Sequence, residues 1–181
     1  RVAKKLRENP AHQKLWDDYE QLFADQSTYF TEPVAVPALG KGDINTYKLF
    51  LNRFFVLLSD QGHMAILVPS GLYTDEGCFP LRNLFFQQSR IESLYCFENR
   101  WPEVFTAVDN RFKFITFSTQ KGGETESFRC AFMQHDPIRL ELIEQAAPLV
   151  TLDQVRRFSP TTLGLMEFNN QADVDVTDHI Y

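Results

Sequence analysis

The sequence has few residues that would cross-link the chain, bind a metal or anchor it in a membrane. Its three cysteines, Cys78, Cys96 and Cys130, lie far apart, which argues against a disulfide framework or a cysteine-rich zinc site. The four histidines are equally scattered, so we expect no metal site. No apolar run approaches the roughly 20 residues that span a bilayer, and no apolar signal region follows the basic start. We therefore expect a soluble, cytoplasmic protein.

Basic residues are also fewer than acidic ones. There are 18 Lys and Arg against 24 Asp and Glu, which gives a net charge of −6. This is the wrong sign for a free-standing protein that binds nucleic acid by overall electrostatics. It leaves open a DNA enzyme whose basic surface is local or lies elsewhere in a longer polypeptide. The sequence contains no G-x-S-x-G motif and no recognisable Ser/His/Asp arrangement for nucleophilic catalysis.

Phenylalanine, in contrast, is abundant. The 181 residues include 17 Phe, which predicts an aromatic-rich core or platform in a chain long enough for one domain with a real core. The sequence begins at Arg1 without a methionine, inside what reads as a helix. We therefore treat it as an excerpt of a longer polypeptide.

The chain is organised around residues 43–71. Apolar residues at helical spacing predict a helix with Asp43 as N-cap and one buried face made of Tyr47, Phe50, Leu51, Phe54, Phe55 and Leu58. Gly62 is suited to a left-handed turn position after this helix. The unbroken apolar run 64–68 predicts a strand covered on both faces in a parallel sheet. Helix, turn and strand together form one crossover of an α/β fold.

The remaining elements follow from periodicity and turn signals. Residues 1–30 read as mostly helical and residues 32–42 as a loop, because prolines and glycines interrupt them. Alternation and apolar spacing predict the other elements, namely a helix at 81–88, a strand at 90–98, a loop at 104–109, a strand at 111–119, its antiparallel hairpin partner at 127–133 and a helix at 138–144. The tail 151–181 is predicted to be irregular, with one short helix or strand.

The order of short motifs adds a family resemblance. Gly-Lys-Gly-Asp precedes Tyr-x-x-Phe in the organising helix, Pro-Ser-Gly ends the strand, and Phe-Glu-Asn, Val-Phe and Arg-Phe-x-Phe follow in turn. This ordered set resembles the second half of the catalytic domain of gamma-class adenine-N6 DNA methyltransferases, and looks most like the type IIG restriction-modification enzymes. The similarity covers about residues 1–136, and residues 158–181 resemble that family's passage to a target-recognition region.

The resemblance implies a fold and a cofactor. The fold would be a partial Rossmann-like, S-adenosylmethionine-dependent methyltransferase, comprising the second half of the sheet with an antiparallel hairpin. Its divisions would be a helical lead-in and loop (1–42), the second half of the methyltransferase domain (43–136), and a helix with the passage towards target recognition (137–181). The family's glycine-rich cofactor loop and its Asn-Pro-Pro-aromatic motif would lie upstream, because no Pro-Pro pair occurs here. The chain alone would then be inactive.

The resemblance also assigns roles to two aromatic residues. Phe105 matches the loop aromatic that packs against the flipped target base, and Phe50 matches the phenylalanine beside the adenine of the cofactor. A flat apolar ring suits both tasks. The alternatives are that Phe105 is pinned into the neighbouring core and that Phe50 is simply part of the helix core.

Further site residues are predicted at the end of the central strand and on the strand that begins near Arg111. Pro69 and Ser70 would line the cofactor site, and Tyr73 would contact DNA. Arg111 and Lys113 would contact DNA phosphates, or else form a solvated strand face. Expected partners are double-stranded DNA and the remainder of the same polypeptide, which includes a target-recognition region and leaves room for a fused nuclease domain. We also expect self-association of the fragment through an exposed strand edge.

Two other classes remain open at this point. One is a non-catalytic α/β module that docks a partner or binds DNA only. The other is an unrelated α/β enzyme completed by another chain. Upstream sequence carrying a glycine-rich loop and an Asn-Pro-Pro-aromatic motif would favour the methyltransferase.

Overall fold

The structure, a computed structural model, describes residues 9–32, 36–40, 42–100 and 104–181. The helices in these residues are α1 (Pro10–Thr31), α2 (Thr46–Leu57), α3 (Gly71–Thr74), α4 (Phe79–Gln88), α5 (Leu140–Ala146), α6 (Leu152–Phe158) and α7 (Gln171–Ile180). The strands are β1 (His63–Pro69), β2 (Ser89–Glu98), β3 (Lys113–Lys121), β4 (Ser127–Gln134) and β5 (Leu149–Thr151). Short 3₁₀ helices span Glu76–Cys78 and Pro137–Arg139. No helix within these ranges is both long and apolar enough to cross a membrane.

The five strands form one mixed sheet in the order β1-β3-β2-β4-β5. Strand β3 lies between β1 and β2 and is antiparallel to both. Strand β4 runs parallel to β2, and β5 is antiparallel to β4. The predicted α/β class is therefore confirmed, and the antiparallel pair next to β1 is formed by β2 and β3.

The predicted hairpin partner of residues 111–119 was wrong. Residues 127–133 do form a strand, but β4 pairs with β2 rather than with β3. The connection from β3 crosses the start of β2, where the Thr125 hydroxyl accepts from Ile91 N at 3.0 Å and donates to Ser89 O at 2.7 Å. These bonds hold the connection against the opposite side of β2, so β4 emerges parallel to it.

The prediction that the 64–68 strand is covered on both faces was also wrong for the described residues. Strand β1 is at the edge of the sheet, and its burial alternates. Met64 and Val68 point into the core, whereas Leu67 is 55% exposed. The apolar run is unbroken because both faces are apolar, but only one of them is packed against other described residues.

The buried face of α2 differs from the predicted one. Phe50 and Phe54 are exposed and stack on each other at 5.5 Å. The residues that point inward are Lys48, Leu51, Asn52 and Phe55. The buried Asn52 amide accepts from Ala38 N at 2.9 Å and donates to Lys48 O at 2.9 Å. A polar anchor for the preceding loop therefore turns the helix away from its most apolar orientation.

The predictions for the two ends of α2 were also wrong. The helix begins after Asn45 rather than Asp43, and no side chain caps it. In the following turn the left-handed residue is Gln61 (φ 60°), not Gly62. A glycine in a turn is permissive, but it does not mark which residue adopts the positive φ.

The core lies mainly on one face of the sheet. Helices α2, α4, α6 and α7 cover this face, and phenylalanines dominate the contact. Phe85 meets Phe117 edge-on at 5.0 Å and Phe55 at 5.6 Å. A smaller cluster on the other face joins Tyr95, Phe97 and Phe114 to Ile143 of α5. The expected aromatic-rich core is confirmed.

The tail is more regular than predicted. It contains β5, α6 and α7, and α6 begins with a capping box between Thr151 and Gln154. Leu152, Val155 and Val174 are buried in the main core. Three short elements packed on the sheet give little periodicity of their own, because tertiary burial rather than helix propensity stabilises them.

The predicted helices at 81–88 and 138–144 and the strands at 90–98 and 111–119 are confirmed, with shifts of a few residues at their ends. The helical lead-in is confirmed from Pro10 onward. Residues 1–8, and residues 33–35 and 41 within the predicted 32–42 loop, lie outside the described residues.

Two glycines before α2 offer a matched stability test. Gly40 and Gly42 both have positive φ, at 82° and 87°. A Cβ on Gly40 would lie 2.1 Å from the carbonyl oxygen of Gly77, whereas one on Gly42 would meet nothing within 4 Å. We expect Gly42→Ala to cost about 1–2 kcal/mol from backbone strain alone, and Gly40→Ala about 3 kcal/mol or more because the clash adds to it. Urea unfolding measures both, and equal losses would show that the Gly77 contact is unimportant.

Candidate functional site

A cleft of about 240 Å³ lies at the carboxyl end of β1. We call it the Phe105 cleft. Its walls are the end of β1, the connection between β2 and β3 and the start of β3, and its lining residues are Leu67, Val68, Pro69, Asn99, Phe105, Val108, Phe112, Lys113 and Phe114. The lining is mostly apolar, and Leu67 and Phe112 are more than half exposed.

Asn99 holds the wall of the cleft in place. The residue follows β2 and is fully buried. Its side-chain amide donates to the carbonyl oxygens of Phe105 and Val108, each at 2.9 Å, and its Oδ1 accepts from Phe105 N at 2.9 Å. Its backbone N–H donates to Phe112 O at 3.1 Å. One side chain therefore ties together the described part of the connection, residues 104–112, which we call the Phe105 loop.

The Phe105 ring is packed on one side and open on the other. It meets Phe114 edge-on at 5.0 Å and 86°, and Phe114 in turn stacks on Phe97 at 5.4 Å. Phe105 nevertheless remains 38% exposed. The neighbouring core thus supports the ring without enclosing it.

Pro69 and Ser70 lie where β1 turns into α3. Pro69 is exposed and lines the Phe105 cleft. Ser70 is half-buried; its N–H donates to Lys113 O at 3.2 Å and its carbonyl accepts from Tyr73 N at 3.0 Å. Pro69 is therefore available to a ligand in the cleft, whereas the backbone of Ser70 is used by the fold.

Tyr73 does not fit its predicted contact with DNA. Its side chain is 1% exposed, and its hydroxyl donates to Glu167 Oε1 at 2.5 Å and lies 3.3 Å from Cys96 Sγ. Burial raises the pKa of the Tyr73 hydroxyl, and the contacts with Cys96 and Glu167 raise it further. The residue packs against Phe132 in the core, so in this arrangement it cannot reach DNA.

Lys113 forms a close ion pair with Glu167. Its Nζ lies 2.9 and 3.0 Å from the two carboxylate oxygens. Burial opposes charge on both groups, but their hydrogen bonding and attraction prevail, so the pKa of Lys113 is raised and that of Glu167 lowered. The cation that sequence reasoning assigned to DNA thus joins β3 to the tail.

We expect Glu167→Gln to lower stability at neutral pH. Because the folded pKa of Glu167 is below its ordinary 4.5, its contribution is present above pH 4.5 and is lost as pH falls through the folded pKa. Lys113, whose pKa is raised above 10.5, contributes below pH 10.5 and loses its share at higher pH. The loss at pH 7 should be about 1 kcal/mol after solvent screening, and it should diminish as the pH falls below 4.5.

Urea unfolding of the wild type and of Glu167→Gln at pH 7 and pH 3 measures this difference in stability. Glu124→Gln is the control, because the exposed Glu124–Arg156 pair should contribute less than about 0.5 kcal/mol. An undiminished Glu167 effect at pH 3 would contradict the electrostatic origin.

Arg111 is at the protein surface, beside the Phe105 cleft. Its guanidinium forms two hydrogen bonds to Asp109, at 3.0 and 2.8 Å. These bonds raise the pKa of Arg111 and lower that of Asp109. With a side chain 85% exposed, Arg111 remains accessible to an external anion that replaces Asp109.

Phe50 lies on the exposed side of α2 and does not line the Phe105 cleft. Its helix does approach the end of β1, because a Cβ on Gly71 would lie 2.8 Å from the Tyr47 hydroxyl. For S-adenosylmethionine, the described residues thus offer an exposed aromatic surface at Phe50 and the Pro69–Ser70 turn. A flat aromatic ring and an exposed apolar turn are surfaces that can pack on a purine ring.

Sequence reasoning overlooked Asn99 and Glu167. Asn99 was noted only as part of the Phe-Glu-Asn motif, although an asparagine between a strand and a loop often bonds to the loop backbone. Glu167 lies in a tail without clear periodicity, so no sequence signal links it to Lys113.

Three solved structures place this fold among restriction-modification proteins. A modification subunit of a putative type I restriction enzyme from Vibrio vulnificus YJ016 matches with a TM-score of 0.53 and 13% identity, over 71% of this chain and 32% of that one. A chain from a structure explaining complex assembly and conformational transition of the type I R-M system matches with a TM-score of 0.56 and 11% identity, over 77% and 37%. The type IIG restriction endonuclease BpuSI matches with a TM-score of 0.52 and 13% identity, over 70% and 16%.

The three chains are much longer than this one, which spans between about a sixth and just over a third of their length. No protein-family model and no curated protein sequence matches the chain. At these identities the likeness concerns the fold alone. The chain therefore has the mixed α/β fold that is found in part of these restriction-modification structures.

Proposed function

We propose that this chain is part of an adenine-N6 DNA methyltransferase of a restriction-modification or phage-defence system. The observation that carries the proposal is the half-exposed Phe105 ring, held by a buried asparagine beside an apolar cleft at the carboxyl end of β1. Ligands of open α/β sheets bind at this end of the strands. The fold of restriction-modification subunits and the ordered motifs support the same function.

The chain's own residues would bind and orient the target base. A base must leave the duplex before its exocyclic amine can be methylated, and stacking on an aromatic ring offsets the lost base stacking. Phe105 offers such a ring, and Phe114 supports it from behind. Arg111, at the surface, would exchange Asp109 for a DNA phosphate. The apolar lining of the cleft would exclude water from the reacting amine.

S-adenosylmethionine would supply the methyl group, with Phe50 beside its adenine and the Pro69–Ser70 turn along its edge. These residues form only one wall, so the proposal assigns the glycine-rich loop and the Asn-Pro-Pro-aromatic motif to further sequence of the same polypeptide. The open edge and exposed face of β1 are where that sequence would complete the sheet, since an uncovered strand edge favours pairing.

The test is calorimetric titration of S-adenosylmethionine into the 181-residue chain and into the natural polypeptide that contains it. Tritiated methyl transfer to duplex DNA, with product analysis for N6-methyladenine, accompanies the titration. We expect binding and transfer only with the longer polypeptide. Methylation at cytosine would overturn the adenine assignment, and absence of both binding and transfer in the longer polypeptide would overturn the methyltransferase.

A second candidate is a non-catalytic docking module, which the surface of α1 favours. This 22-residue helix has no buried residue. Its apolar side chains repeat at the spacing of a helix-packing stripe, and those more than half exposed are Leu15, Tyr19, Leu22, Phe23 and Tyr29. Aspartates and glutamates outnumber basic residues along the helix, so a partner with an apolar stripe and basic flanks would fit it.

A substitution on the exposed surface of α1 distinguishes the two candidates by its effect on partner binding and on methyl transfer. Leu22→Lys should abolish partner binding by a docking module, whereas a methyltransferase that uses α1 only for internal packing should retain transfer once folded. Loss of a stoichiometric partner in light scattering, with no methyl transfer by the wild-type polypeptide, would favour the docking module.

A further inference from the structure

We propose that Asn99 is a positioning residue that orients the base-stacking ring of Phe105. The expected effect on catalysis rests on the proposed function, whereas the effect of Asn99 on the orientation of the Phe105 ring can be tested without it. Asn99 belongs to the Phe-Glu-Asn motif, but the family resemblance assigns no function to it. It would not touch the target base, and it acts only through the loop that carries Phe105.

The geometry of the amide supports this assignment. Asn99 uses both the donor and the acceptor of its side chain on the backbone of Phe105, and it makes a further bond to Val108 O. Hydrogen bonds to both the N–H and the carbonyl of Phe105 fix the orientation of its backbone as well as its distance from Asn99. The direction in which the Phe105 side chain leaves the backbone is thereby fixed.

Burial makes these bonds stiff. The Asn99 side chain is inaccessible to solvent, so no water competes for its amide and the exchange of partners is costly. The Phe105 loop has no helix or strand of its own between residues 104 and 112. Its backbone conformation therefore depends on the few bonds it makes, and Asn99 supplies four of them, including that from Asn99 N to Phe112 O.

The chain provides a matched control in Asn52. This asparagine is equally buried and also uses its amide to hold a loop, through Ala38 N and Lys48 O. It makes no bond to the Phe105 loop. Asn52→Ala should therefore reproduce the stability loss of Asn99→Ala without affecting the position of Phe105.

The first experiment places 4-fluorophenylalanine at position 105 of the 181-residue chain and records its fluorine resonance. We expect Asn99→Ala to shift and broaden the resonance, because the ring samples several orientations, while Asn52→Ala leaves it unchanged. An Asn99→Ala resonance that matches the wild type would overturn the proposal. If Asn99→Ala does not fold, Asn99→Ser, which retains a hydroxyl at this position, carries the same comparison.

The second experiment measures methyl transfer by the natural polypeptide. Misplacing the ring should lower kcat by up to about a hundredfold. The KM for S-adenosylmethionine should change less than about twofold, because the hydrogen bonds described for Asn99 run to the Phe105 loop and not to Phe50. Because Asn52 orients the helix that carries Phe50, the two variants are compared at saturating S-adenosylmethionine. Equal losses of kcat in Asn99→Ala and Asn52→Ala under that condition would indicate a merely structural role and overturn the proposal. If the wild type transfers no methyl group, the proposed function fails, while the fluorine comparison still tests the Asn99–Phe105 coupling.

Discussion

Phe105→Ala is expected to lower methyl transfer by the natural polypeptide about ten- to a hundredfold, because base–aromatic stacking contributes about 1–3 kcal/mol. Cofactor binding should change little, because the proposed cofactor contacts are Phe50 and the Pro69–Ser70 turn. Of these, only Pro69 lines the Phe105 cleft together with Phe105. Single-turnover transfer and calorimetry on the same preparation separate the two effects. Fluorescence of 2-aminopurine at the target position reports whether the base still leaves the duplex.

Phe79→Ala is the matched control for this variant. Phe79 is exposed to almost the same extent as Phe105, 37% against 38%, but it lines a different cleft, next to Gly40 and Gly77. Its loss should cost little transfer. Equal rates for Phe105→Ala and wild type would remove the base-stacking role, and equal losses in the two variants would point to a general effect on folding.

Arg82→Met is expected to destabilise the fold by about 3 kcal/mol, a large part of the 5–15 kcal/mol typical of a domain. The Arg82 side chain is buried at 4% exposure. Its guanidinium donates to the carbonyl oxygens of Leu72, Asp75 and Thr162 at 2.7–3.0 Å. Burial lowers the pKa of Arg82, but the three carbonyls hold the cation in place. Methionine preserves much of the volume but removes the buried donor from all three carbonyls, of which Asp75 O keeps its bond from Cys78 N.

Urea unfolding at pH 7 measures this loss, and Arg53→Met is its control. Arg53 is exposed on α2, so its replacement should change stability by less than about 0.5 kcal/mol. Because Arg82 joins the residues after β1 to the tail, Arg82→Met should also speed hydrogen exchange of the Leu165 amide, which bonds to Tyr73 O between the same two segments. A loss no larger than that of Arg53→Met would show that water replaces the guanidinium at no cost.

Several elements were predictable from the sequence because their signals are local. Apolar spacing located α2 and α4, and alternation located β3, since each pattern follows from the geometry of one helix or strand. The Phe105 loop was predicted at 104–109, between two predicted strands. The ordered motifs also indicated the fold that the solved restriction-modification subunits share.

Only the tertiary structure decided which faces and side chains are used. The period of α2 was right, but the Asn52 amide and its loop partner determined that Phe50 points outward. Strand pairing placed β4 beside β2, because the crossing at Thr125 is a contact between residues distant in sequence. Likewise Lys113 looked free until Glu167, 54 residues later, was brought beside it. The sequence by itself determined most of the elements before the tail and their order, since these depend on neighbouring residues. The site depends on Asn99 and Glu167, and the fold around it on Arg82, and the partners of all three are chosen by the packing of the whole chain.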